Sequence, residues 1–169
     1  MKVGPLVLPA SALRNLGPLR FPLIEAIAGR YRAKFRTGGV RADLHPGEAE
    51  LATAVAAAVA AGVPFKATAG LHHALRNTDS ETGFEQHGFL NPLLAADALA
   101  HGGSERDAGA LLAERDGPTV AGLVRGLDEA RVRRARSSFT SFGTCSITDP
   151  LTELVGLGVL TTPATEGAS

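Results

Sequence analysis

The residues best suited to chemistry fall in four short blocks: Lys34 to Gly39, Pro64 to His73, Gln86 to Asn91 and Phe142 to Ser146. In the first, Lys34 and Arg36 are two residues apart, so on a strand both leave from one face. Cations on an otherwise apolar strand are costly to bury unless an anion or a reaction requires them. Thr37 adds a hydroxyl, and Gly38 and Gly39 leave backbone N–H groups open to a phosphate or carboxylate. The plainer reading is an edge strand whose charges are solvated. In the second block Lys66 and Thr68 share a face, while Phe65, Ala67 and Ala69 pack on the other. A lysine amine that is partly desolvated and beside another cation is the arrangement that yields an imine-forming nucleophile. The plainer reading there is a packed stem with its ammonium in solvent.

The second block ends in His72 and His73. In the third, His87 and Asn91 lie one helical turn apart, so both can face a site from a helix N-terminus. Three histidines with Cys145 would suffice for a metal. Yet His72 and His73 are adjacent and diverge, and carboxylates are missing from the strand ends, so neither a bound metal nor another cofactor is expected. Proton transfer by His73 or His87, or a hydrogen-bonding role in the loops, fits the pattern better. In the fourth block Cys145 is a nucleophile if a histidine reaches it, and otherwise a small core residue. Gly143 and Ser146, just before a helix, make a further anion-binding turn.

These blocks need strands and helices to hold them. Met1 to Pro9 reads as a short strand, Ser11 to Leu16 and Phe21 to Ala28 as helices, and Tyr31 to Thr37 as a strand by alternation. Pro46 to Ala61 is an alanine-rich helix with Glu48 and Glu50 in its first turn. Val63 to Ala69 is the next strand, Gly70 to Gly83 a loop, and Phe89 to His101 and Ser104 to Arg115 are helices. One helix is expected from Thr119 to about Arg136, then a strand from Ser138 to Cys145 and a helix from Asp149 to about Val155. Strands alternating with helices of ten or more residues imply parallel β-α-β units. The expected fold is therefore α/β, either an open parallel sheet or a partial (half) β/α barrel completed by a second copy. Residues 1–160 read as one domain and 161–169 as a polar tail. In parallel sheets ligands sit at the C-terminal strand ends, which is where the four blocks fall.

The whole-chain properties bound the function. The 169 residues carry 17 basic and 17 acidic side chains, with a net charge of zero. Nothing in that balance draws the chain to nucleic acid or to a membrane surface. A single cysteine excludes an internal disulfide and suits a reducing compartment. The longest apolar stretch, Leu51 to Val63, is too short for a membrane span. With no signal-peptide pattern at the N-terminus, the expected location is the cytoplasm.

The segments KFRTGG, PFKATAGLHH, HGFLN and FGTCS, in this order, resemble a family of uncharacterised bacterial proteins that are barrel-like. The resemblance covers roughly Tyr31 to Leu160. It implies a chain corresponding to the C-terminal part of such a barrel and brings no reaction with it. The segments around Lys66 and Lys34 also look like the two lysine strands of the deoxyribose-phosphate aldolases, in the opposite order. That likeness is one of mechanism rather than of the whole chain.

The function expected is an enzyme acting on a small anionic carbonyl compound, as a lyase, aldolase or isomerase. Lys66 is its nucleophile or base, Lys34 its activator, and His73 or His87 its proton carrier. Arg36, Thr37, Gly38, Gly39, Thr68, His72, Asn91, Gly143, Cys145 and Ser146 would bind the substrate. The alternative is a non-catalytic ligand-binding protein, or a shortened barrel acting only in a complex as a homodimer or an accessory subunit.

Overall fold

The computed structural model describes residues 6–8 and 20–161. The expected helix at 11–16 and all but the first residue of the polar tail lie outside them. Strands β1 (Leu6–Leu8), β2 (Ala33–Arg36), β3 (Phe65–Thr68) and β6 (Phe139–Phe142) form a four-stranded sheet in that order, and every neighbouring pair is parallel. The sheet is open, with β1 and β6 at its edges. Helix α1 (Arg20–Ile27) links β1 to β2, and α2 (Glu48–Ala60) links β2 to β3. Between β3 and β6 the chain inserts a two-stranded hairpin, β4 (Asn77–Thr78) with β5 (Glu85–Gln86), and four helices. These are α3 (Leu90–Ala100), α4 (Glu105–Ala113), α5 (Gly117–Arg125) and α6 (Glu129–Ser138). Helix α7 (Thr148–Gly156) follows β6.

Alternation along the strands decides where the core lies. Ala33, Phe35, Phe65, Ala67 and Phe139 are buried, and they join Ile24, Val55, Leu94 and Leu112 of the helices in one hydrophobic cluster. Sequential parallel strands joined by right-handed crossovers put their helices on one side of the sheet, and the single cluster agrees. The rings of Phe35, Phe65 and Phe139 run across the sheet with centroids 5.3 Å apart at each step. Lys34, Arg36, Lys66 and Thr68 stand on the opposite face, half-buried or exposed. Among the described residues no helix closes over that face.

Two expectations are corrected. The helix expected from Thr119 to Arg136 is two helices, because Gly126 ends the first and Asp128 starts the second. The Asp128 carboxylate accepts a hydrogen bond from the Arg131 N–H at 2.8 Å, an N-cap that fixes the break. The stretch Gly70 to Gly83, expected as plain loop, contributes β4. Its two residues pair Asn77 with Gln86 and Thr78 with Glu85, too short a run for alternation to be visible in sequence.

Candidate functional site

The C-terminal ends of β2 and β3 are locked together by backbone geometry. Thr37 is fully buried, its N–H donates to the Thr68 carbonyl at 2.9 Å, and its hydroxyl donates to the Ala69 carbonyl at 2.7 Å. Ala69 and Gly70 both have left-handed backbones, with φ of 67° and 82°. A Cβ on Gly38 would sit 3.0 Å from the Ala69 carbonyl oxygen and 3.0 Å from the Gly70 Cα. Gly38 is thus required by close packing of two backbones rather than by an anion. The Gly39 peptide is held by His45, whose Nε2 lies 2.9 Å from the Gly39 carbonyl oxygen and 3.3 Å from its nitrogen. Arg36 closes the turn, with Nε donating to the Gly38 carbonyl at 2.8 Å.

Beyond these ends lies a recess of about 330 Å³ lined by His45, His72, Gly70, Gln86, Gly143 and Cys145. The His72 Nδ1 lies 3.5 Å from the Cys145 backbone nitrogen, and the Cys145 thiol is exposed. Gly143 donates its N–H to the Ala67 carbonyl at 3.1 Å, and the Ser146 hydroxyl accepts from the Asp149 N–H at 3.2 Å at the start of α7. His45 is the residue sequence reading missed here. Its partner is a backbone peptide six residues earlier, and no residue pattern signals such a contact. Among the described residues the buried Nδ1 of His45 has no hydrogen-bond partner.

His73, His87 and Asn91 do not converge on the lysines; each stitches the fold. The His73 Nδ1 lies 2.6 Å from the Glu153 carboxylate, which also accepts from the Ala74 N–H and so ties α7 to the loop after β3. His87 is 1% exposed, with its Nε2 2.8 Å from the Pro46 carbonyl and its Nδ1 3.2 Å from the Arg76 guanidinium. Burial, reinforced by the Arg76 cation and opposed by the Pro46 carbonyl, pushes its pKa from 6.5 to about 4. A neutral ring donating to Pro46 and accepting from Arg76 has no nitrogen left for proton transfer. Arg76 in turn pairs with Glu48 at 2.7 Å and Glu85 at 3.2 Å. The Asn91 amide accepts from the Arg76 N–H at 2.9 Å and donates to the carbonyls of Leu111 and Glu114 at 2.8 Å each. That is a bracket between α3, the end of α4 and the loop, and its position at a helix start was the only part visible in sequence.

The lysines occupy a different place. Lys34, Lys66 and Ser141 are Cα partners across β2, β3 and β6. Both lysines are half-buried, and among the described residues neither ammonium has a hydrogen bond or an ion pair. Strands lie about 4.8 Å apart. Lys2, Lys34 and Lys66 are the chain's lysines, and arginine supplies the rest of its 17 basic residues. A chain that otherwise carries positive charge on arginine places two amines side by side at the middle of its sheet. Lys66 also lines a groove of about 920 Å³ with Arg30, Tyr31, Arg32, Thr140 and Ser141. That groove opens at the N-terminal ends of the strands, opposite the histidine and cysteine recess. Lys66 and Cys145 therefore belong to different hollows of the molecule.

Among the described residues no three His, Cys, Asp or Glu side chains stand together as a metal-holding group. No helix among them is long and apolar enough to cross a membrane. The chain matches no family model, no curated protein and no solved structure.

Proposed function

We propose that the helix-free face of the sheet is the ligand face, and that it binds a small anionic carbonyl compound for imine chemistry at Lys66. One observation carries the reading: Lys34 and Lys66 are register partners on adjacent strands and, among the described residues, have no counter-anion. Two unneutralised cations side by side attract an anion, and a lysine amine in reach of a bound carbonyl is the group that forms an imine. The Lys66 amine then attacks the carbonyl carbon, the carbonyl oxygen leaves as water, and an iminium forms. The iminium takes up the electron pair of the bond broken beside it, as in a lyase or an isomerase. Addition of one water returns the free amine and releases product. Ser141, in register with Lys66, offers a hydroxyl on this face, and Arg36 holds a carboxylate or phosphate at the C-terminal end.

A second reading is favoured by the uncovered face. Four parallel strands in sequential order make half of an eight-stranded barrel, and the side chains of the open face would line its interior. On this reading the chain is a ligand-binding or accessory half-barrel, completed by a second copy or another subunit. The deciding experiment is a mass-spectrometric screen of the protein against a pool of small metabolites with cyanoborohydride. A reduced adduct mapped to Lys66 supports the enzyme reading. No adduct on any lysine rejects it and leaves the accessory reading.

A further inference from the structure

We infer that the recess at the C-terminal strand ends is a thiol-modification site, where Cys145 forms a mixed disulfide with a small peptide-like thiol. The inference is independent of the lysine reading, because Cys145 and Lys66 lie in different hollows. The recess sits where the ends of β2, β3 and β6 meet, and Gly39, Gly70 and Gly143 line it. A wall without side chains lets a second backbone lie close against it. Its volume of about 330 Å³ is that of a small-ligand site.

Gln86 points to the ligand. It lines the recess although it is only 8% exposed. Its amide nitrogen donates to the Asp79 carboxylate at 3.4 Å, and among the described residues its amide oxygen has no hydrogen-bond partner. A buried acceptor without a donor is unfavourable, and an N–H of a peptide-like ligand satisfies it. Opposite stands His72, whose Nδ1 accepts from the Cys145 N–H at 3.5 Å. The ring proton is then on Nε2, which donates to a carbonyl or carboxylate. Cys145 is exposed and is the chain's single cysteine, so no second thiol of the chain can displace the bound one. The Cys145 thiol gives its proton to solvent, and the thiolate attacks one sulfur of a small disulfide. A new S–S bond forms as the old one breaks, and the other half leaves as a thiolate that takes up a proton.

The test follows mixed-disulfide formation by intact mass with two probes, glutathione disulfide and bis(2-hydroxyethyl) disulfide, which has no N–H donor. Each rate is measured on the folded protein and on the same chain in urea, where Cys145 has no recess. A hydrogen bond made to a buried group is worth about tenfold. The ratio of the glutathione rate to the hydroxyethyl rate is therefore expected to be at least about tenfold higher in the folded protein. Gln86→Leu, and separately His72→Ala on the half-buried loop, are expected to return the ratio toward its value in urea. In both, the hydroxyethyl rate is expected to stay within about twofold. Equal ratios in the folded and urea-unfolded chain overturn the inference. So do two variants that leave the ratio unchanged, or that slow both probes equally.

Discussion

Lys66 works, on this account, because of where its strand puts it. Phe65 and Ala67 are buried on the helix side, which turns the Lys66 stem to the open face beside Lys34. Lys66→Ala removes an amine that packs little of the core and relieves like-charge repulsion. It is expected to abolish imine trapping with the melting temperature unchanged or slightly raised, read by mass spectrometry and by calorimetry. Lys34→Met is expected to reduce trapping without abolishing it, because one of the two cations that attract the anionic compound is lost. A second residue-scale prediction concerns strain. Ala69 holds a left-handed φ of 67°, a conformation that costs a non-glycine residue about 1 kcal/mol. Ala69→Gly is expected to raise stability by up to about 1 kcal/mol in chemical denaturation. A loss of stability would show that the Ala69 methyl packs more than it strains.

At the scale of elements, the loop after β3 is fastened to α2, α3 and α7 by polar groups that sequence reading had assigned to proton transfer (His73, His87) and to substrate (Asn91). Lys34, Lys66 and the helical face of the core were legible because alternation and the apolar content of α2 and α3 state them directly. The duties of His87, Asn91 and His73 were not, because their partners are backbone groups, a guanidinium and a carboxylate 11 to 80 positions away. His45 was invisible for a different reason: its partner is a backbone peptide only six residues earlier, and no residue type marks such a contact. Asn91→Ala leaves the Arg76 N–H and the carbonyls of Leu111 and Glu114 without their partner. It is expected to cost roughly 2 to 4 kcal/mol, measured by urea unfolding. His87 sets a pH dependence whose sign is definite. Its folded-state pKa of about 4 lies below the ordinary 6.5, so the unfolded chain binds the extra proton first. The stabilisation is full above pH 6.5 and is lost as the pH falls toward 4, to a total of about 3 kcal/mol. Thermal melts between pH 7.5 and 4.5 are expected to show this slope. His87→Gln, which does not titrate, is expected to flatten it, and an unchanged slope would assign the dependence to carboxylates instead.

Among the described residues, one face of the sheet carries the helices and the other carries the cations, with the two outer strands at open edges. Open edges and an uncovered polar face are features that assembly removes. The expected state is a homodimer at micromolar concentration, and light scattering giving a monomer with a cooperative melt would contradict it. The central claim is narrower and does not depend on assembly: the lysine pair on the open face is where an anionic carbonyl compound binds. With Lys2, Lys34 and Lys66 as its lysines, the protein can be labelled with ¹³C-lysine and its side-chain Cε signals followed by NMR during titration with 2-oxoglutarate. The account predicts that the Lys34 and Lys66 signals, assigned from Lys34→Met and Lys66→Ala, shift together and saturably while Lys2 stays still. Signals that do not move, or three that drift equally with ionic strength, would contradict it.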